Sequence, residues 1–268
     1  MAQGFESSSA RWADIRMDKE TEHAAALAAV DFLKRVRTAA ESAAAAPSPE
    51  AEYLSVDFDE FDVAHLDFVI ATLATGEVRI VLRGGEVKIE ETQITGLWRV
   101  QEGEKQRFVL ACVPQSVLEA ARLGRSELTV PAEVPEGVFA APAILKELAA
   151  ALASGDAAAL NFRAAHMIEL TRQPIEKIDM QWINTLLGTG EIEIWLSGFA
   201  NAHIRSTGYR GIWRSALMNR AGKGLLDSFV VSLLPPEVPA SPDEFSDTAR
   251  QCEELLEWLE DDLARGTL

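Results

Sequence analysis

The 268 residues are 48% hydrophobic and 25% charged, an ordinary globular balance that excludes disorder throughout. Forty-two acidic against 25 basic residues leave a formal net charge of -17, which argues against nucleic-acid binding, since gripping phosphates needs a basic footprint. No apolar run approaches the roughly 18 residues that cross a bilayer, and Met1 to Ala10 lacks a basic patch before a hydrophobic stretch, so no membrane insertion and a cytoplasmic location are expected.

Residues 1–19 mix Ser, Gly and charge without periodicity and read as a loose arm. From Thr21 to Glu41, Ala26, Val30, Leu33, Val36 and Ala40 recur at three- and four-residue steps, which predicts a helix with one buried face, stopped by Pro47-Ser48-Pro49. Leu54, Val56 and Phe58 alternate with polar residues as in a half-buried strand. Asp62 is placed to cap a helix edged by Leu66, Val69 and Leu73, and Gly76 to end it in the left-handed conformation. Three strands follow, at 77–82, 87–101 and 106–113, with turns at Gly84-Gly85 and Glu102-Gly103-Glu104. Residues 122–141, rich in Pro and Gly, read as a connection. A second helical face (Ile144, Leu148, Ala151, Leu152) breaks at Ser154-Gly155, and Ile168 with Leu170 marks a strand. Met180, Ile183 and Leu187 edge another helix. Ser241-Pro242-Asp243-Glu244 is a capping-box signature for a last helix whose stripe is Phe245, Ala249, Cys252, Leu256, Leu259 and Leu263.

The chain also repeats itself. Thr75-Gly76-Glu77 and Ile80 match Thr189-Gly190-Glu191 and Ile194 at a shift of 114, and Thr92, Gly96 and Trp98-Arg99 match Thr207, Gly211 and Trp213-Arg214 at 115. The extra residue is expected in the loop Gly198 to Asn201. Leu66, Val69 and Leu73 recur as Met180, Ile183 and Leu187, so packing positions repeat with the motif. The expected fold is α+β with two similar lobes from an internal duplication, each helix-strand-helix followed by a three-strand antiparallel meander, plus a C-terminal acidic helix. Its boundaries fall at 20–121 for the first lobe, 142–240 for the second and 241–268 for the acidic helix.

Catalytic chemistry finds no clean support. Gly-x-Ser-x-Gly, His-Glu-x-x-His and phosphate-loop patterns are missing, and Gly222-Lys223-Gly224 reads as a turn. His23, His65, His166 and His203 are single and scattered, and Cys112 and Cys252 read as buried reduced thiols, so no cofactor and no metal are expected unless folding gathers them. Glu77 and Glu191, equivalent by repeat, read as strand openers. Adjacent Trp and Arg on a strand point to opposite faces, so if Trp98 is buried Arg99 is exposed. Trp and Arg dominate many binding surfaces, which makes Trp98, Arg99, Trp213 and Arg214 candidate partner-binding residues, while equivalent core anchors would also preserve the tryptophans.

Thr75-Gly76-Glu77-Val78 with Glu91-Thr92-x-x-x-Gly96-Leu97-Trp98-Arg99-Val100 resembles the conserved C-terminal region of the HupH/HyaF hydrogenase expression and formation proteins. The second copy keeps Leu187-Gly188-Thr189-Gly190-Glu191-Ile192 and Gly211-x-Trp213, but has Ser206-Thr207 in place of Glu91-Thr92. A partner-touching role for Glu91 and Thr92 would therefore belong to the first copy alone. The resemblance implies a non-enzymatic, chaperone-like accessory protein of nickel-iron (NiFe) hydrogenase maturation, whose partners are the iron-sulfur small-subunit precursor and other maturation proteins. The alternatives are a metal- or sulfur-handling maturation enzyme and a structural subunit of a larger complex. Residues 237–262 hold ten acids and one base, Arg250, and are expected either to capture a cationic client or to dock their apolar stripe on the second lobe.

Overall fold

The computed structural model describes residues 17–268 apart from Asp156, Ala164 and Phe199. Most of the expected N-terminal arm, and the Phe199 position of the expected insertion loop, lie outside the described residues. In chain order the elements are α1 (Lys19–Ala45), β1 (Glu52–Asp57), α2 (Val63–Leu73), β2 (Val78–Leu82), β3 (Val87–Glu91), β4 (Leu97–Glu102), β5 (Lys105–Ala111), α3 (Gln115–Ala121) and α4 (Ala141–Ala153). Then come β6 (His166–Glu169), α5 (Lys177–Leu187), β7 (Ile192–Leu196), β8 (Asn201–Ser206), β9 (Ile212–Met218), β10 (Gly224–Val231) and α6 (Phe245–Arg265). The chain is α+β with antiparallel strands, as the residue pattern predicts.

Two compact units share these elements: residues 1–76, 90–114 and 240–268 form the first, and 77–89 with 115–239 form the second. In the first unit, Asp18 caps α1 by accepting the Thr21 N–H at 2.9 Å, and Glu20 and Glu22 lie in the first turn, where the helix dipole favours negative charge. Its Ala-rich face (Ala25, Ala26, Ala29, Leu33, Val36, Ala40) is buried, and small side chains there let a neighbouring helix approach closely. That neighbour is α6, tied to α1 by Lys34–Glu260 (2.8 Å) and Arg37–Glu253 ion pairs. The strands run β1-β5-β4, with Val56 opposite Phe108 and Phe108 opposite Arg99.

The acidic helix therefore docks inside the first unit, not on the second lobe. Phe245 packs edge-on to Tyr53 at 5.2 Å, Thr248 Oγ1 donates to the Thr95 carbonyl at 2.8 Å, and Gln251 Oε1 accepts the Thr95 N–H at 3.0 Å. The approach to it was legible: Ser241 and Glu244 close a capping box on the 3-10 turn Pro242–Glu244 that leads into α6, with Ser241 N–H donating to Glu244 Oε2 at 2.6 Å.

Two further expectations are corrected. The strand expected at 87–101 is broken into β3 and β4, because Thr92 Oγ1 accepts the Ile94 N–H (3.2 Å), Leu97 N–H donates to the Ile94 carbonyl (3.0 Å) and Gly96 takes φ 73°. The three strands expected in each stretch are consequently four in chain order, β2 to β5 and likewise β7 to β10. Gly76 does not end α2; Ala74 does, at φ 51°. What Gly76 supplies is room, since a Cβ there would stand 2.3 Å from the Thr92 carbonyl oxygen.

The second unit carries strands in the order β2-β7-β8-β9-β10-β6. Its core joins Ile144, Leu145 and Leu148 of α4 and Ile183 and Leu187 of α5 to Ile168, Ile212, Phe229 and Val231 of the strands. β2 and β7 pair symmetrically: Ile80 faces Ile194, Val78 faces Leu196 and Leu82 faces Ile192. Just beyond the paired residues, Ser197 N–H donates to the Glu77 carbonyl and Arg83 N–H to the Glu191 carbonyl, both at 2.9 Å.

Asp179 was not singled out by sequence. Its fully buried carboxylate accepts N–H bonds from Phe139, Ala140 and Ala141 (2.8, 2.9 and 3.0 Å) at Oδ1 and from Glu176 (3.1 Å) at Oδ2, tying the start of α4 to the start of α5. Burial pushes its pKa up; the four amides outweigh that and hold it below the ordinary aspartate value.

Candidate functional site

The repeated motif folds into the same clasp twice. In the first unit, Gly76 N–H donates to the Glu91 carbonyl (2.8 Å), Thr92 N–H to Leu97 (2.9 Å), Gln93 N–H to Leu73 (3.1 Å) and Ala111 N–H to Gly96 (3.0 Å). In the second, the matching bonds are Gly190 to Ser206 (3.0 Å), Thr207 to Ile212 (3.1 Å), Gly208 to Leu187 (2.9 Å) and Ser232 to Gly211 (3.0 Å). Each glycine before the tryptophan has positive φ, 73° at Gly96 and 79° at Gly211. Trp98 Nε1 donates to the Ala111 carbonyl and Trp213 Nε1 to the Ser232 carbonyl, both at 3.0 Å. With exposures of 0% and 1%, both indoles are anchors of their units, and each buried N–H has its partner.

The arginines lie on the opposite strand face, as alternation requires. Arg99 is partly buried, hydrogen-bonded to Gln106 Oε1 (2.6 Å from Nη2) and 5.4 Å over the Phe58 ring. Arg214 makes a two-pronged pair with Asp227 (2.8 and 3.1 Å) and reaches Asn184 Oδ1 at 3.3 Å. Glu91 Oε1 accepts the Gly96 N–H at 3.1 Å, bracing the turn, and the Thr92 hydroxyl holds Ile94. Ser206 stands in place of Glu91 and uses its Oγ differently, accepting the Ile192 N–H at 3.0 Å. The six motif residues thus divide between the two units and close turns and strands in each.

No three His, Cys, Asp or Glu side chains converge in a metal-holding group among the described residues. His166 meets Glu147 (3.1 Å), His203 meets Glu193 (3.2 Å), and His23 lies against the terminal Leu268 carbonyl (3.3 Å). Burial pushes the Cys112 and Cys252 thiols up to about 12, so neither is a ready thiolate at neutral pH.

Charge is the feature that divides the molecule. The first unit holds 27 acidic and 11 basic residues, net -16; the second holds 15 and 14, net -1. On α6 the exposed carboxylates include Glu253, Glu257, Glu260 and Asp261, and the same helix buries Phe245, Cys252, Leu255, Leu256 and Leu259. This is an acidic face on a packed scaffold. It can steer and hold a cationic segment without any bond being made or broken.

Residues 138–259 match the family described as "HupH hydrogenase expression protein, C-terminal conserved region". That span holds the second copy of the motif and most of α6, whereas the residue pattern alone put the fuller likeness on the first copy. The chain is similar to hydrogenase expression and formation proteins over most of its length. It is 28% identical over 221 residues to the Hydrogenase-1 operon protein HyaF of Escherichia coli (strain K12), covering 79% of this chain and 75% of the relative. It is 29% identical over 210 residues to the hydrogenase expression/formation protein HupH of Rhodobacter capsulatus (74% and 72%), and 26% identical over 219 residues to HoxQ of Cupriavidus necator (80% and 74%). Among solved structures, the hydrogenase expression protein HupH from Thiobacillus denitrificans aligns with a TM-score of 0.38 at 23% identity, over 45% of this chain and 95% of that one.

Proposed function

We propose that this chain is a non-enzymatic accessory protein of nickel-iron hydrogenase maturation that holds the iron-sulfur small-subunit precursor before assembly. The relatives' names, hydrogenase expression and formation proteins, support the process. One observation carries the holding role: nearly all of the net charge sits on the first unit, with α6 as its acidic ridge, so a client bearing a basic segment is drawn there. A basic leader on the precursor would supply that segment. In this reading the clasp residues Glu91, Thr92, Trp98 and Arg99 shape the docking unit from within. The two clasps with their shared hydrogen bonds, and the symmetric pairing centred on Ile80 and Ile194, support descent of the two halves from one duplicated unit.

Co-purification of the full chain with the precursor, with and without its basic leader, tests the reading. Retention that needs the leader and falls as salt rises is the expected result. Retention by other maturation proteins alone, with none by the precursor, would replace the holding role with that of a structural subunit.

A further inference from the structure

The outward face of the second unit carries a strip of opposite character. Strand register sets Arg79 opposite Trp195, Trp195 opposite His203, His203 opposite Ala216, and Ala216 opposite Asp227. The Arg79 guanidinium lies 4.7 Å from the Trp195 ring centroid, and that indole stacks on His203 at 5.1 Å with planes 10° apart. One row along, Arg205 stands opposite Glu193, whose carboxylate is taken by His203 at 3.2 Å. Arg79 and Arg205 are exposed, and among the described residues neither forms an ion pair. In a chain with 42 acids, many other arginines, such as Arg107, Arg214 and Arg250, have found carboxylates.

At the Ala216 end the strip opens into a groove of about 530 Å³ lined by Leu170, Ile175, Met180, Met218, Leu225 and Leu226. Leu225 is 49% exposed there. Asp227 on the rim is already matched by Arg214, so the groove presents apolar surface and not free negative charge. Methionine side chains adapt to differing shapes, which suits a groove that receives varied apolar side chains.

We infer that this strip and groove form a docking face for a partner-protein segment in which carboxylates adjoin apolar side chains. Charge complementarity fixes the polarity: the unpaired Arg79 and Arg205 take the carboxylates, Trp195 stacked between Arg79 and His203 holds the row in place, and the apolar residues enter beside Met180 and Leu225. A nucleic acid fits less well, because the unit holding the strip has 14 basic and 15 acidic residues and no net basic footprint. The inference is independent of the client reading above, which places a cationic segment on the other unit.

The test uses the full chain and three fluorescein-labelled probes by anisotropy: the peptide Glu-Asp-Glu-Leu-Phe-Ala-Leu, its counterpart with Lys-Arg-Lys at the start, and oligo(U). The acidic peptide is expected to bind and the basic one not to bind the second unit. Affinity for the acidic peptide should fall about tenfold in Arg79→Glu/Arg205→Glu, which removes two charge-assisted contacts, and should also fall in Leu225→Asp. All three positions are exposed, so an unchanged melting temperature separates lost binding from lost folding. Absence of acidic-peptide binding, or binding indifferent to these substitutions, overturns the inference. Oligo(U) binding that the same substitutions abolish would assign the face to nucleic acid instead.

Discussion

Trp98 and Trp213 bury an entire indole and satisfy the ring N–H with a strand carbonyl, so their value lies in packing and one hydrogen bond each. Trp98→Ala and Trp213→Ala should each cost about 3–5 kcal/mol, the range for emptying a large aromatic site. Chemical denaturation checks this, and a loss under 1 kcal/mol would mean that the clasp tolerates the cavity. Asp179 gives a pH signature of its own. Its folded pKa is depressed, so its contribution to stability is fully present above the ordinary aspartate value and is lost as pH falls through the lower folded value. Asp179→Asn should therefore lower the melting temperature at pH 7 and flatten the decline in stability at acidic pH. A variant that keeps the wild-type acid profile would assign that decline to other carboxylates.

At the scale of elements, local signals were readable and register was not. Asp62 accepts the Ala64 N–H at 2.9 Å, and Ser241 with Glu244 closes a capping box, both within a few residues of chain. The break at Thr92–Gly96 was missed because no proline interrupts 87–101; a threonine hydroxyl and one positive φ decide the matter. The Arg79, Trp195 and His203 row was invisible for another reason: its members lie on β2, β7 and β8, and only pairing brings them together. For α6, Glu253→Gln, Glu254→Gln, Glu257→Gln and Glu260→Gln together leave the apolar stripe intact. Folding should survive, with at most a small loss from the solvent-screened Lys34 and Arg37 pairs. Association with the leader-bearing precursor should slow at low salt. An association rate equal to wild type in stopped flow would leave α6 a packing helix only.

For the whole molecule, charge follows the division into compact units. The acids gather on one compact unit while the other is nearly neutral, so salt should act unevenly: precursor binding through the first unit should weaken as the screening length shrinks to about 8 Å at physiological ionic strength, and on the second unit the contacts of Arg79 and Arg205 should weaken likewise while the contribution of the apolar groove around Leu225 persists. Binding isotherms at low and high salt with each class of probe measure the difference. The joint between β2 and β7 also has a consequence for engineering. Their inward residues are Val78, Ile80 and Leu82 on one strand and Ile192, Ile194 and Leu196 on the other, so the two strands are interchangeable parts as far as that face is concerned. Exchanging their sequences should leave a folded protein, yet it would put Glu at position 79 and Trp at position 81, dismantling the stacked row while sparing the pairing beneath it.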